Sequence, residues 1–322
     1  MKNRKWKKLG HIFNPIEHKL PNECYDFAQS PQALVFEDFV RIYFSTRKQE
    51  KSTGKYLSHI AFVDFDKSFT NIKRISDKTV IELGNLGCFD EHGIFPINPL
   101  RNGDKIFAYT CGWSRRISVS VETSIGLAIS NDNGLTFNKI GEGPVLTSSL
   151  YEPALVGDAF VKKYNGVFHM WYIRGLGWKQ DPNDNLPARI YKIAHAISSD
   201  GISWEKEERE QIIPNVLNAD ECQALPTVVK ANDQYHMYFC YRYSTNFRNN
   251  ADRGYKIGYA YSDDLINWTR DDENARITFS KKGWDSEMMC YPHVFECDDN
   301  LYMLYNGNAF GKYGFGIAVL EH

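Results

Sequence analysis

Residues 130–137 read SNDNGLTF, and the same arrangement returns as SSDGISW at 198–204 and as SDDLINW at 262–268. A weaker copy, DFDKSF, occupies residues 64–69. In each copy small polar residues precede an aromatic residue, and Asn, Asp and Gly tolerate the backbone angles of tight turns. The copies recur at intervals of about 65 residues, and self-similarity at a fixed interval is typical of a chain built from structural repeats.

Short apolar and aromatic runs surround these turns, and their pattern predicts β-strands. The run directly before the turn reads IAFVDF (60–65), IGLAIS (125–130), IAHAIS (193–198) and IGYAYS (257–262). Two further runs lie upstream of each, and a strand after the aromatic residue completes four strands per unit. A fifth unit contains LYMLYNGN (301–308) and FGIAVL (315–320) but stops before its turn and fourth strand.

Five units of four antiparallel strands predict an all-β fold, a five-bladed β-propeller formed by residues 1–322 as a single domain. The predicted blades are residues 26–85, 90–147, 152–215, 220–280, and 285–320 together with 6–13. Trp6 and the KKLGHIF that follows it resemble the segments after Trp204 and Trp268. We therefore expect the N-terminal strand to complete the last blade and close the ring, which removes an exposed sheet edge. The alternative is a disordered basic tail.

Composition excludes several functional classes. The chain has 322 residues and a formal net charge of -2, whereas nucleic-acid binding usually needs a basic surface. Its seven Cys form no CxxC pair, which favours buried free thiols over a metal cluster or a disulfide framework. The sequence also lacks an apolar run of the length of a signal peptide or membrane span. We expect a cytoplasmic protein without metal, cofactor, nucleic-acid partner or membrane span.

Acidic residues precede or begin the first strand of every unit, and they are the candidate functional groups. They are Asp26, Glu91, Glu152, Asp158, Glu221 and Glu287. In an antiparallel pair the start of one strand lies beside the end of the next, so both should open at one mouth of the propeller. The other residues predicted at this mouth are Arg47, His92, Trp113, Arg174, Arg242, His293 and Asn308.

Like charges repel in a desolvated cleft, so acids in register at one mouth predict a binding pocket. Two simpler interpretations remain open. Single acids in such loops often accept backbone N–H bonds, and the arginines can be structural partners of the acids.

The repeats and their acids resemble the five-bladed β-propeller glycosidase superfamily, which includes glycoside hydrolase families 32, 43, 68, 117 and 130. By order along the chain, the resemblance implies Asp26 as base or nucleophile, Asp158 as modulator and Glu221 as general acid. The first unit lacks the Asn-Asp-Pro-Asn signature of family 32, and Glu91 and Glu287 are additional acids, so the identity of the base is open.

The resemblance implies a glycoside hydrolase that acts on an oligosaccharide or glycoconjugate. A phosphorylase or glycosyltransferase on the same fold is an alternative, because Arg47, Arg174 and Arg242 can hold phosphate or a nucleotide-sugar diphosphate. A sugar-binding propeller without catalysis is a third possibility, since fold does not fix function.

Overall fold

The computed structural model of the chain describes residues 5–182, 186–207 and 211–321, and its regular structure is almost entirely β. The strands are β1 (Trp6–Phe13); β2 (Asp26–Val35), β3 (Val40–Gln49), β4 (Tyr56–Phe65) and β5 (Ile72–Ile75); β6 (Gly93–Asn102), β7 (Lys105–Arg115), β8 (Val121–Ser130) and β9 (Asn138–Lys139); β10 (Leu155–Tyr164), β11 (Val167–Lys179), β12 (Ala188–Ser198) and β13 (Glu205–Lys206); β14 (Cys222–Ala231), β15 (Gln234–Arg242), β16 (Lys256–Ser262) and β17 (Thr269–Arg270); β18 (Cys290–Cys297), β19 (Asn300–Asn306) and β20 (Phe315–Leu320). Short 3₁₀ helices occupy Pro15–Glu17, Pro21–Glu23, Ala251–Arg253, Asp272–Ala275 and Asn308–Gly311.

Consecutive strands pair antiparallel within each unit. Three sheets have the orders β10-β11-β12-β13, β14-β15-β16-β17 and β1-β20-β19-β18, and the first two units join into one larger sheet through a parallel contact between β4 and β6. The N-terminal strand pairs with β20, from Trp6 opposite Leu320 to Phe13 opposite Phe315. This is the pairing that the truncated fifth repeat predicts. No sheet among the described strands closes on itself, so five blades in a closed ring stay a prediction.

The first strands of successive units are neighbours in space. β2 packs beside β6, β6 beside β10, β10 beside β14, β14 beside β18, and β18 beside β2. Apolar clusters fill the spaces between the units; one of them contains Tyr43, Ile60 and Ile94 and joins the first two units. The sheets therefore pack face to face, with their first strands adjacent to one another in cyclic order.

The serine and aspartate residues of the repeated motif form the hydrogen bonds that stabilise these turns. Ser130 donates to the carboxylate of Asp132 at 2.6 Å and accepts the backbone N–H of Gly134 at 2.8 Å. Ser198 with Asp200 and Ser262 with Asp264 repeat the side-chain bond. Two of these turns also accept a hydrogen bond from a tyrosine of the preceding unit. These bonds connect the turns to the packing between neighbouring units.

Every first strand contains an irregularity in its pairing with the second strand, at the same place in each unit. The positive backbone φ angles at this place belong to Ser30, Asp158, Leu225 and Tyr291. A proline follows the bulge residue in three of these units, after Ser30, Leu225 and Tyr291, whereas Ala159 follows Asp158. A β-bulge redirects a side chain, and positive φ in non-glycine residues clusters at functional sites. The bulge therefore makes Asp158 a candidate functional residue.

The cysteines are free thiols, of which Cys88 is half-buried and the other six are buried. No helix in the described ranges is long and apolar enough to cross a membrane. The predicted cytoplasmic location stays a prediction.

Candidate active site

Asp26, the first residue of β2, lies opposite Arg47 of β3 and is 6% exposed. Burial raises the pKa of Asp26, although the positive charges of Arg47 and Lys312 oppose that rise. The Arg47 guanidinium is stacked over the ring of Phe27, 4.5 Å from its centroid. Asp26 Oδ1 is buried and receives no hydrogen bond from the described residues. This oxygen is therefore able to accept a hydrogen bond from a bound molecule.

Asp158 lies at the bulge of β10 with a φ of 52° and is 7% exposed. Burial raises its pKa to about 7, although Arg189 and the Cys111 thiol favour the charged form. A large fraction of Asp158 is consequently protonated at neutral pH, whereas an ordinary aspartic acid is ionised there. A carboxyl with a pKa near the working pH is suited to donating a proton.

Arg242, at the end of β15, is buried against aromatic rings. Its guanidinium lies 3.5 Å from the centroid of Phe247 and donates to the hydroxyl of Tyr191 at 2.8 Å. The Tyr191 and Tyr255 hydroxyls lie 2.6 Å apart, and the Tyr255 ring lies 5.6 Å from that of Tyr291. These contacts fix the orientation of the guanidinium before any ligand arrives.

Electrostatic interactions join these groups. Arg47 interacts with Asp26, Tyr291 and Arg189, and Asp158 interacts with Arg189 and Tyr291. We refer to the set as the central cluster: Asp26, Arg47, Asp158, Arg189, Tyr191, Arg242, Tyr255 and Tyr291. Of the predicted site residues, the structure thus brings together Asp26, Arg47, Asp158 and Arg242.

A cavity of about 270 Å³ adjoins the central cluster. Its lining is formed by Ser120, Asp181, Leu186, Pro187, Ala188, Arg189, Arg242, Phe247 and Arg248. A larger, open groove of about 630 Å³ lies at the outer edge of the fifth unit, between β1 and the segment that follows β17. The groove contains none of the central cluster, so we place the candidate site at the smaller cavity, whose lining includes Arg189 and Arg242 of the central cluster.

Acids that precede a first strand form a different, structural repeat. Four of them make an ion pair with a basic residue on the outermost strand of their own unit: Asp90 with Lys139, Glu152 with Lys206, Glu221 with Arg270, and Asp285 with Lys8. All four carboxylates are buried. Each ion pair ties the segment before the inner strand to the outer strand, which explains why acids recur at this place. In the second and fifth units the buried acids are Asp90 and Asp285, not the predicted Glu91 and Glu287.

Glu221 has the surroundings of a structural carboxylate. One oxygen accepts the backbone N–H groups of Val216 and Leu217, both at 2.9 Å, and the other accepts bonds from Gln223 at 2.9 Å and Arg270 at 2.6 Å. Burial alone would raise the pKa of Glu221, but the hydrogen bonds outweigh it and the pKa is lowered. A residue that is 0% exposed and held ionised is poorly suited to donate a proton to a substrate. These contacts speak against the predicted general-acid role.

Glu91, His92 and Trp113 lie at the edge of the central cluster. The His92 and Trp113 rings are stacked at 6.0 Å, and Glu91 lies 3.8 Å from His92 Nε2. Burial lowers the pKa of His92, and the nearby charge of Arg115 lowers it further. Arg115 also donates to the carbonyl of Tyr56 at 2.9 Å, whose ring lies near Arg47. Contacts through Arg115 and Tyr56 therefore connect this group to Arg47 of the central cluster.

The remaining predicted residues lie outside the central cluster. Asn308 accepts the backbone N–H groups of Glu287 and Met288 at 2.9 and 3.1 Å, and so braces a loop on which Glu287 is exposed. His293 is buried beside Phe160, and burial lowers its pKa to about 3, which keeps the ring neutral. Arg174 interacts with Tyr172, the tyrosine that donates to Glu152.

Sequence reasoning missed Arg189, Tyr191, Tyr255 and Tyr291. The first three lie at or just before the starts of third strands, and Tyr291 is the bulge residue of β18. Third strands begin where second strands end, so the antiparallel argument applied to Arg47 and Arg242 also extends to Arg189.

No family model matches the chain. Two uncharacterized proteins from two strains of Mycobacterium tuberculosis, MT1551 and Rv1502, are each 32% identical to it over 324 residues. The alignment covers 98% of this chain and 99% of each relative.

Solved structures resemble the chain over nearly its whole length. A glycoside hydrolase superposes with a TM-score of 0.76 at 16% identity, covering 100% of this chain and 93% of that one. A thermostable family-43 glycoside hydrolase gives 0.62 at 15% identity, with 94% and 91% covered. The β-1,2-mannobiose phosphorylase of Listeria innocua, in complex with β-1,2-mannobiose, gives 0.66 at 13% identity, with 98% and 96% covered. The predicted resemblance to the propeller glycosidase superfamily is thereby confirmed at the level of the fold.

Proposed function

The chain belongs to the family of the two mycobacterial proteins, and we propose that it is a carbohydrate-active enzyme, a glycoside hydrolase that acts at the central cluster. The observation that carries the proposal is the presence of two buried carboxyl groups, Asp26 and Asp158, connected through Arg47 and Arg189. Support for the substrate class comes from the fold, which the chain shares with glycoside hydrolases and a mannobiose phosphorylase.

Glycoside cleavage needs one protonated carboxyl to assist the leaving group and one ionised carboxyl to aid attack. Surroundings that push two pKa values apart create such a pair. Asp158, with a pKa of about 7, is the proton donor of the proposal, and Asp26, beside Arg47 and Lys312, is the base or nucleophile. The acid role that the resemblance implied for Glu221 thus passes to Asp158, since the contacts of Glu221 fix it as an anion.

The order of the first strands supports the proposed pairing of Asp26 with Asp158. We propose that the units are five blades of one domain, residues 1–322, arranged as a closed ring, because their first strands are neighbours in cyclic order. The ring would hold Asp26 of the first unit near Asp158 of the third, as two carboxyl groups acting on one bond require. Aromatic rings such as Trp113 would then border the path by which an oligosaccharide reaches the cluster.

Turnover of nitrophenyl glycosides and of disaccharides tests the proposal. Asp158→Asn should lower turnover about 10²–10⁴-fold on disaccharides, whose leaving groups are poor, and much less on nitrophenyl glycosides. Asp26→Asn should lower turnover on both. Glu37→Gln, at an exposed acid, is the control and should match the wild type. Equal, mild losses in both Asp variants would contradict catalysis and favour a protein that binds sugar only.

A phosphorylase or glycosyltransferase is the second candidate, favoured by the arginines of the cavity. Such an enzyme would use phosphate, or a nucleotide-sugar diphosphate, where the hydrolase uses water. The discriminating measurement is whether disaccharide cleavage requires inorganic phosphate and releases a sugar phosphate. Cleavage that proceeds equally without phosphate would favour the hydrolase.

A further inference from the structure

The cavity beside the central cluster is lined by more basic than acidic residues. Arg189, Arg242 and Arg248 line it, and Asp181 is its one acidic residue among the described lining. One oxygen of Asp181 accepts the backbone N–H of Asn246 at 2.9 Å. The lining is therefore rich in guanidinium groups, which favour anions.

Arg242 is 2% exposed, and its hydrogen bonds to the described residues all go to neutral acceptors. Those acceptors are the carbonyls of Tyr243 and Ser244, at 2.7 and 3.1 Å, and the hydroxyl of Tyr191. Its Nε is buried and receives no partner from the described residues. A buried cation without an opposite charge is unfavourable, so an anion in the cavity would stabilise it.

Arg189 extends the same surface from the start of β12. None of the ion pairs in the described ranges involves Arg189 or Arg242. Asp158 interacts with Arg189, but the pKa of about 7 leaves this carboxyl only partly charged at neutral pH. Among the described residues, the positive charge of the two arginines is thus incompletely balanced.

We propose that this cavity binds a phosphate group, either as inorganic phosphate or as the phosphoryl group of a sugar ester, through Arg189 and Arg242. Phosphate fits better than a carboxylate because it has more acceptor oxygens and carries more charge, and so can bond to several guanidinium groups together. The volume of about 270 Å³ is small for a ligand pocket and suits one such group with part of a sugar. The sugar-ester form of this inference rests on the proposed function; phosphate binding itself does not.

Isothermal titration calorimetry with inorganic phosphate, glucose 1-phosphate and glucose tests the inference. We expect at least one phosphate probe to bind more tightly than glucose, and Arg189→Gln to weaken that binding about 10-fold or more. Arg189 is half-buried at the start of its strand and is a safer substitution than Arg242, which packs among aromatic rings. Arg74→Gln, which removes the same charge at a site 47% exposed, is the matched control and should bind as the wild type does.

Equal affinity for the two phosphate probes indicates free phosphate as ligand, and tighter binding of glucose 1-phosphate indicates an ester; both support the site. The inference is overturned if neither probe binds better than glucose, or if Arg189→Gln binds them as well as Arg74→Gln does. Asp26→Asn should retain phosphate binding. A protein that binds phosphate but cleaves no glycoside would therefore refute the proposed function alone, and one that cleaves glycosides without binding phosphate would refute this inference alone.

Discussion

Asp158 and Glu221 show how two acidic residues in similar positions acquire opposite pKa shifts. Both carboxyl groups are buried near the start of a first strand, yet burial dominates at Asp158 and hydrogen bonds dominate at Glu221. The difference arises from the neighbours, because Glu221 receives bonds from two backbone N–H groups, an amide and a guanidinium. Sequence spacing could mark both acids as candidates but could not assign their roles.

The raised pKa of Asp158 predicts the alkaline side of the pH profile. A proton donor must be protonated, so turnover of a disaccharide should fall as the pH rises through about 7. Asp158→Asn should remove this dependence along with most of the activity, and nitrophenyl glycosides should show it weakly in the wild type. Steady-state turnover between pH 5 and 9 is the measurement (about two units on either side of the pKa). A disaccharide profile that stays flat through neutral pH would contradict Asp158 as donor.

The ion pair between Glu221 and Arg270 predicts a loss of stability rather than of chemistry. Glu221→Ala leaves Arg270 buried with Asp272 as its remaining acid, 2.9 Å away, so we expect the free energy of unfolding to fall by about 3 kcal/mol. Because the folded protein lowers the pKa of Glu221, its stabilisation is fully present above an unfolded pKa of about 4.3, begins to decline below it, and is lost as the pH falls through the lower pKa of the folded protein. Urea unfolding at pH 7 and pH 4 measures both effects.

Glu37→Ala, at an exposed site, should change stability by less than about 0.5 kcal/mol and serves as the control. A Glu221→Ala protein of unchanged stability that has lost turnover would restore the catalytic interpretation of this residue.

At the scale of elements, the strands and turns were predictable and the bulges were not. The turn of SSDGISW is specified by local chemistry, since Ser198 and Asp200 bond each other and the Asp carboxylate accepts the backbone N–H groups of Ile202 and Ser203. The bulge at Asp158 depends on pairing between β10 and β11 and leaves no local signal beyond a proline in the other units. Spacing along the sequence therefore could not place Asp158 at the bulge, and it could not identify Asp90 and Asp285 as the acids of the ion pairs in two units.

Tyrosines that reach the turn of the next unit predict a measurable contribution to stability. Tyr109 of β7 donates to the carbonyl of Gly201 at 2.9 Å, as Tyr43 of β3 does to that of Gly134 at 2.7 Å. Tyr109→Phe keeps the packed ring and leaves a buried carbonyl without this donor, so the free energy of unfolding should fall by about 1 kcal/mol. Tyr313→Phe, at a residue 48% exposed, should have no comparable effect in the same urea titration. Equal stability of both variants would show that the inter-unit bond contributes nothing.

At the scale of the whole molecule, four-strand units create the site by bringing distant segments together. Asp26, Asp158, Arg189 and Arg242 belong to three different units, so no single repeat contains the central cluster. The repeat pattern predicted that residues at the starts of inner strands and the ends of second strands meet, and Asp26, Arg47, Asp158 and Arg242 belong to one cluster of interacting groups. The shared mouth of a closed propeller stays a prediction. The repeat pattern was not sufficient to separate structural acids from functional ones, because that distinction depends on contacts across units and with outer strands.

A crystal structure of the Asp26→Asn variant soaked with mixed disaccharides and phosphate tests the central claim most directly. The substitution should slow cleavage while retaining the shape of the site, so that an intact sugar can be observed. We predict a sugar bound at the central cluster with a glycosidic oxygen within hydrogen-bond reach of Asp158 and residue 26. Sugar bound only in the outer groove near Arg276 and Phe279, or no sugar bound anywhere in the crystal, would contradict the claim.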